Sequence, residues 1–246
     1  MSASVNNTKA FSIYSLSEGA VTIEFGKEIN AGTLDVISDF NKLLHEQPFQ
    51  GFYSSVPAYT TLTVFFDPVI VRASGDLTGR DSFERVSAYL RQLAELPVGN
   101  KKAVGRNVEI PVCYGGNMGP DLEDLAAMLG MSAAEVIRIH SSAEYTVFMI
   151  GFVPGFPYLG GLPEAIAAPR RMSPRAAVPA GSVGIAGNQT GIYPFETPGG
   201  WQIIGRTPLL LFDAGRDEPS LLKAADRVRF RPVGREEYDD LRKGKA

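Results

Sequence analysis

The chain has a single cysteine, Cys113, and two histidines, His45 and His140, in 246 residues. One thiol excludes an internal disulfide and a thiolate zinc site. Two imidazoles exclude a histidine-rich metal cage. The formal net charge is −3, which argues against a broad basic face for nucleic acid. The opening residues, MSASVNNTKAF, lack the apolar run of a secretory signal. Tyr145 to Pro163 carries no charge over 19 residues, but Pro154, Pro157 and four glycines interrupt it. A membrane-spanning helix would break there, so a buried strand running into a loop is expected. Together these absences point to a reducing compartment, with the cytoplasm as the expected location. The Gly-x4-Gly-Lys-Ser/Thr phosphate loop is absent, and so is an Ala-Met-Lys-Met biotin site. Gly181, Gly184 and Gly187 do not have dinucleotide spacing, and Ser182 lacks the preceding glycine of a nucleophile elbow.

What is present begins with alternation. Val21, Ile23 and Phe25 alternate with Thr22 and Glu24, the period of a half-buried strand. Phe11–Leu16 reads as its neighbour across a turn at Gly19. Leu34, Ile37, Phe40 and Leu44 then mark one face of a helix stopped by Pro48. Phe49–Val56 and Thr60–Phe66 read as strands, the second ended by Asp67-Pro68. A second helix starts near Asp81, which has capping-box spacing to Glu84, and carries Phe83, Val86, Leu90 and Leu93. Residues 11–97 therefore predict ββαββα, an antiparallel sheet with two helices on one face. Leu96 to Lys102 reads as a linker, dividing the chain into 1–97 and 98–246.

The second part opens on a strand with Val108, Ile110 and Val112. Two short helices follow, about Asp121 to Leu129 with Gly130 as its cap, and one from the capping box Ser132-x-x-Glu135. Their rhythm is that of a DNA-binding hairpin, but Asp121, Glu123, Asp124 and Glu135 oppose phosphate contact. A hairpin plugging a barrel fits better. Strands are predicted at Tyr145–Ile150, Ser182–Ala186, Thr190–Phe195, Trp201–Gly205, Leu209–Phe212 and Asp226–Arg231, with a final polar helix at Glu236–Arg242. Short strands between Gly/Pro turns suggest a closed β-barrel.

Gly151 to Pro208 dominates this part, with 11 of the 26 glycines, 9 of the 17 prolines and the one tryptophan, Trp201. It has no lysine or aspartate, and four arginines against two glutamates give it a net +2. Two readings stay open: the wall of a binding pocket, or the turn-rich part of a small barrel. Arg170, Arg171 and Arg175 lie between prolines that limit backbone freedom, and a guanidinium fork suits a carboxylate or phosphate. The alternative is an arginine group paired within the fold. His140 has the ordinary pKa of an acid/base group, yet a histidine at a helix end is also a common structural residue. Gln189 and Tyr193 offer neutral hydrogen bonds, and Tyr158 and Trp201 an apolar floor.

The run from His140 through GFVPGFPYLGGL and PRRMSPRAAVPAGSVGIAGNQTGIYPFETPGGWQIIGRTP, with GAVTIEFG, VPAYTTLTVFFDP and EIPVCYGG before it, resembles one known family. It is the family of the 5-oxoprolinase B subunit, known also as allophanate hydrolase subunit 1 and the sporulation-kinase inhibitor KipI. The resemblance spans residues 11–235. It implies a small α+β N-terminal domain and a mostly-β, cyclophilin-like barrel as the C-terminal domain. It implies work beside two partners, a second cyclophilin-like chain (the 5-oxoprolinase C subunit) and the 5-oxoprolinase A subunit, in opening 5-oxo-L-proline to L-glutamate. ATP with Mg2+ would bind in the assembled complex, and this chain would be inactive alone and carry no biotin. Carried onto this sequence, the motifs give His140 and Arg175 as catalytic candidates. Tyr158, Arg170, Gln189, Tyr193 and Trp201 become substrate-binding candidates, with no metal ligand. The family also leaves open an inhibitor that clamps a histidine kinase, and a carboxyltransferase half of a urea carboxylase.

Overall fold

Alternating apolar residues and two capped helices account for the first of two compact units, Met1–Val104 and Gly105–Ala246. A computed structural model describes residues 11–96 and 105–244. Most of the predicted linker, and the predicted boundary at 97/98, lie outside the described residues. In the first unit β1 (Ser12–Ser17), β2 (Ala20–Glu24), β3 (Phe52–Pro57) and β4 (Thr61–Phe66) form an antiparallel sheet in the order β1-β2-β4-β3. Helix α1 (Ala31–Glu46) buries Leu34, Ile37, Phe40 and Leu44, the four residues of the predicted stripe. A short helix, α2 (Pro68–Ala73), is an addition to the predicted ββαββα order. Asp67 ends β4 and also caps α2, its carboxylate accepting from the N–H groups of Val69 and Ile70, with Pro68 in the first turn where no donor is needed. Helix α3 (Ser82–Glu95) starts as expected, Asp81 accepting from the Glu84 N–H at 2.8 Å.

The second unit is built on a closed barrel. Its strands are β5 (Asn107–Tyr114), β6 (Tyr145–Ile150), β7 (Pro157–Gly160), β9 (Ser182–Ala186), β10 (Gln189–Ile192), β12 (Gln202–Arg206) and β13 (Arg227–Pro232), closing in the order β10-β7-β6-β13-β5-β12-β9. All neighbouring pairs are antiparallel except β13 with β5. Strands β8 (Arg175–Val178) and β11 (Thr197–Gly199) pair separately as a two-stranded flap. Between β5 and β6, α4 (Leu122–Leu129) and α5 (Ala133–Ser142) form the expected hairpin, with Gly130 left-handed at φ 68° and Ser132 capping α5. Leu122, Leu125, Ala126 and Val136 share one core with the inward residues of the barrel, as a plug requires. Helix α6 (Arg235–Lys243) closes the described chain.

Two strand predictions are corrected. Leu209–Phe212 is not a strand; Phe212 makes only an isolated bridge to Ser220. The charge-free run Tyr145–Pro163 is two paired strands, β6 and β7, rather than one strand and a loop. The tight connection puts Phe152 at φ 67° and Gly155 at φ 80°. A left-handed phenylalanine is an uncommon conformation that its surroundings must hold in place.

Candidate functional site

Strand alternation sorts the barrel wall into two faces. Val183, Ile185, Leu159, Ile192 and Ile204 point into the main core. Their neighbours in sequence point outward, and there Phe156, Val178, Ala186, Tyr193, Trp201 and Ile203 form a second apolar cluster with Val153 and Tyr158 against it. Gly184 and Gly191 are register partners on this outer face. A Cβ on Gly191 would lie 2.9 Å from Phe156 Cζ and 3.0 Å from Trp201 Cζ3, so the missing side chains are what let the rings lie on the strands. Phe156 is the hub, with ring centroids 4.9 Å from Tyr158, 5.2 Å from Tyr193 and 5.5 Å from Trp201. Phe152 edges it at 5.7 Å and is 60% exposed.

The geometry brings Tyr158, Tyr193 and Trp201 together and sets the Arg170 charge beside the two tyrosines. Burial pushes the Tyr193 phenol up to about 12, against the opposing pull of the Trp201 N–H, Arg170 and Arg175. Burial likewise raises Tyr158, and Arg170 opposes it. Gln189 lies on β10 two residues from Gly191, so both belong to the outward face of the strand. The stretch Gly151–Pro208 therefore supplies both barrel strands and an outer aromatic patch. The rings do not line an open cleft: Phe156 and Tyr193 are 1% exposed and Trp201 5%.

The arginine segment is held by an acid whose sequence position suggests only a helix cap. Asp121 stands at the N-terminus of α4 but makes no side-chain cap. Its carboxylate turns to Arg171 Nη1 at 2.7 Å, to Arg175 Nη1 and Nη2 at 2.8 and 2.6 Å, and to the Ile203 N–H at 2.6 Å. The acid is 2% exposed. Two guanidinium groups share one carboxylate, so an excess positive charge remains. Arg170 is exposed and forms no ion pair among the described residues. Arg175, the catalytic candidate of the sequence, has both terminal nitrogens of its fork on Asp121. Asp121 carries a weak sequence signal, since an Asp just before a helix reads first as a cap.

The other catalytic candidate, His140, lies inside the barrel. It is fully buried, with Nδ1 2.8 Å from Tyr114 Oη and Nε2 3.0 Å from Thr190 Oγ1, and its ring stacks on Phe230 at 4.5 Å. Burial lowers its pKa to about 3. The imidazole has no exposed surface, and both its nitrogens are engaged. The missed partners Tyr114 and Thr190 have no local motif; only barrel closure brings them to His140.

Among the described residues no group of three or more His, Cys, Asp or Glu side chains could hold a metal. Both oxygens of Asp121, the acid at the arginine segment, are already filled by donors. Among the described residues no helix is long and apolar enough to cross a membrane.

A barrel with a plugging hairpin and a two-stranded flap, preceded in sequence by an antiparallel α+β unit, is the architecture of this chain, and its sequence places it in the carboxyltransferase class. The chain belongs to the family described as "Carboxyltransferase domain, subdomain C and D", whose model matches residues 11–222. It is 46% identical over 239 residues to the 5-oxoprolinase B subunit of Bacillus subtilis, covering 94% of this chain and 96% of that protein. It is 44% identical to the 5-oxoprolinase B subunit of Escherichia coli O157:H7, covering 89% of this chain and 94% of the relative. The crystal structure of TTHA0988 superposes with a TM-score of 0.74 at 35% identity, covering 87% of this chain. This chain spans only 40% of TTHA0988, a substantially longer protein.

Proposed function

We propose that this chain is the B subunit of a 5-oxoprolinase, the cytoplasmic complex that opens 5-oxo-L-proline to L-glutamate with cleavage of ATP. The observation that carries the reading is identity of 44–48% over most of the chain to three proteins of that name. A lactam is resonance-stabilised and resists water. Activation of its carbonyl by phosphoryl transfer supplies a leaving group, and that chemistry belongs to the assembled complex rather than to groups held here. This chain contributes recognition. Arg170 presents an exposed guanidinium beside Tyr158, suited to the carboxylate of 5-oxoproline. Gln189 faces the same side and suits the lactam amide. The A and C proteins of the enzyme are the proposed partners. That the related chain TTHA0988 extends well beyond the length matched here supports a site completed by further polypeptide.

The test is reconstitution. This chain with the A and C proteins should release glutamate from 5-oxo-L-proline and ATP, and each single omission should abolish release. No release from the full mixture would refute the reading. Replacing Arg170 by Gln removes a charge-assisted contact, so KM for 5-oxoproline should rise about 10- to 100-fold.

A further inference from the structure

Arg170 is placed by its neighbours. The carbonyl of Pro169 accepts from Gln202 Nε2 at 3.1 Å, and the Arg171 N–H donates to Gly200 O at 2.7 Å. The residues on either side of Arg170 are thus tied to the residues on either side of Trp201. Asp121 locks the pair of segments together. It holds the Arg171 guanidinium at 2.7 Å and the Ile203 N–H at 2.6 Å, while its own N–H donates to Ile203 O at 2.9 Å. Arg171 Nε is buried without a hydrogen-bond partner, so the side chain is held through the bond from Nη1 to Asp121. The same carboxylate occupies Arg175, which leaves Arg170 as the one guanidinium of the three without an acid among the described residues.

We propose that Asp121 is a positioning residue for substrate binding: by fixing Arg171, Arg175 and Ile203 it sets Arg170 against the Trp201 patch, where Arg170 takes the substrate carboxylate. The proposal rests on the 5-oxoprolinase reading and names the buried acid through which its recognition site is held. Without Asp121, Arg171 and Ile203 lose their shared anchor and Arg170 loses its register with Trp201. The effect belongs to binding, so it appears in KM.

The experiment uses the complex reconstituted from all three proteins with 5-oxo-L-proline and measures KM and kcat for wild type, D121N, R170Q, R171Q and the doubles D121N/R170Q and R171Q/R170Q. D121N should raise KM about tenfold with kcat within about threefold, and R171Q about three- to tenfold. Each double should show the KM of R170Q alone, because both residues act through Arg170. R171Q leaves Asp121 bound to Arg175 and Ile203, so it decides the matter if D121N does not fold. KM changes that multiply in the doubles, or a loss of kcat at unchanged KM, would overturn the proposal. So would an R170Q variant with wild-type KM. A wild-type complex that releases no glutamate refutes the underlying reading and the proposal together. An active wild type with unaffected D121N and R171Q refutes the proposal alone.

Discussion

Thr190 spends its one hydroxyl proton on Gly184 O at 2.9 Å. The same oxygen must therefore accept from His140 Nε2–H, and Nδ1 must accept from the Tyr114 hydroxyl, which assigns the neutral Nε2–H tautomer. Protonating Nδ1 would bring its new proton against the Tyr114 donor inside an apolar barrel. The folded pKa of about 3 lies below the ordinary value of 6.5. Stability from this residue is thus fully present above pH 6.5 and is lost as pH falls from there toward 3, by about 1.4 kcal/mol per unit. Urea unfolding at pH 6.5 and pH 5 should show a loss of about 2 kcal/mol in wild type that H140Q lacks. An equal loss in both proteins would remove His140 as its source. The sequence shows His140 at a helix end beside a strand, but not that the helix end is turned into the barrel. That depends on Thr190, 50 residues away. Arg175 is hidden in the same way, since its partner Asp121 is 54 residues earlier and resembles a cap.

Strands β9 and β10 present paired glycines where side chains would otherwise stand, and Trp201 occupies the space. The alternating pattern that exposes β2 and β4 in the sequence is erased here, which is why the Gly151–Pro208 stretch reads equally as turns or as a wall. The flap strands β8 and β11 have four and three residues and no periodicity to detect. Leu209–Phe212 is apolar enough to read as a strand, yet Leu211 serves the core from a bend. Helix α2 is hidden because Asp67-Pro68 signals the end of a strand as strongly as the start of a helix. The glycine pair carries a direct prediction. In Gly191→Ala the new methyl group meets two rings and the Pro157 carbonyl, at 2.9 to 3.0 Å. The rings must move, at a cost of about 1–3 kcal/mol. Trp201 is the only tryptophan, so emission reports on the patch alone. The variant should show a red-shifted spectrum and a raised KM for 5-oxoproline; an unchanged spectrum would mean that the rings do not rest on Gly191.

At the scale of the molecule, two separate hydrophobic cores serve two units. One gathers Val21, Ile37, Leu62 and Leu90; the other gathers Ile110, Val147, Ile185 and Val228. They share no residue. Periodicity makes the first unit readable almost element by element, because an antiparallel sheet with one covered face alternates cleanly. The barrel is readable as a class, from short strands between glycines, but not its strand order or its parallel β13–β5 pair, which no local pattern encodes. Two cores of different size and composition have no reason to melt together. Because Trp201 lies in the second unit, fluorescence follows the barrel alone, while far-UV circular dichroism follows helices and strands of both. Thermal unfolding read by the two probes should therefore give midpoints that do not coincide. Gly191→Ala, which loosens only the outer patch of the barrel, should lower the fluorescence midpoint and leave the other component of the dichroism transition in place. If both probes shift together by the same amount, the two units unfold as one cooperative body, and the independence of their cores is refuted.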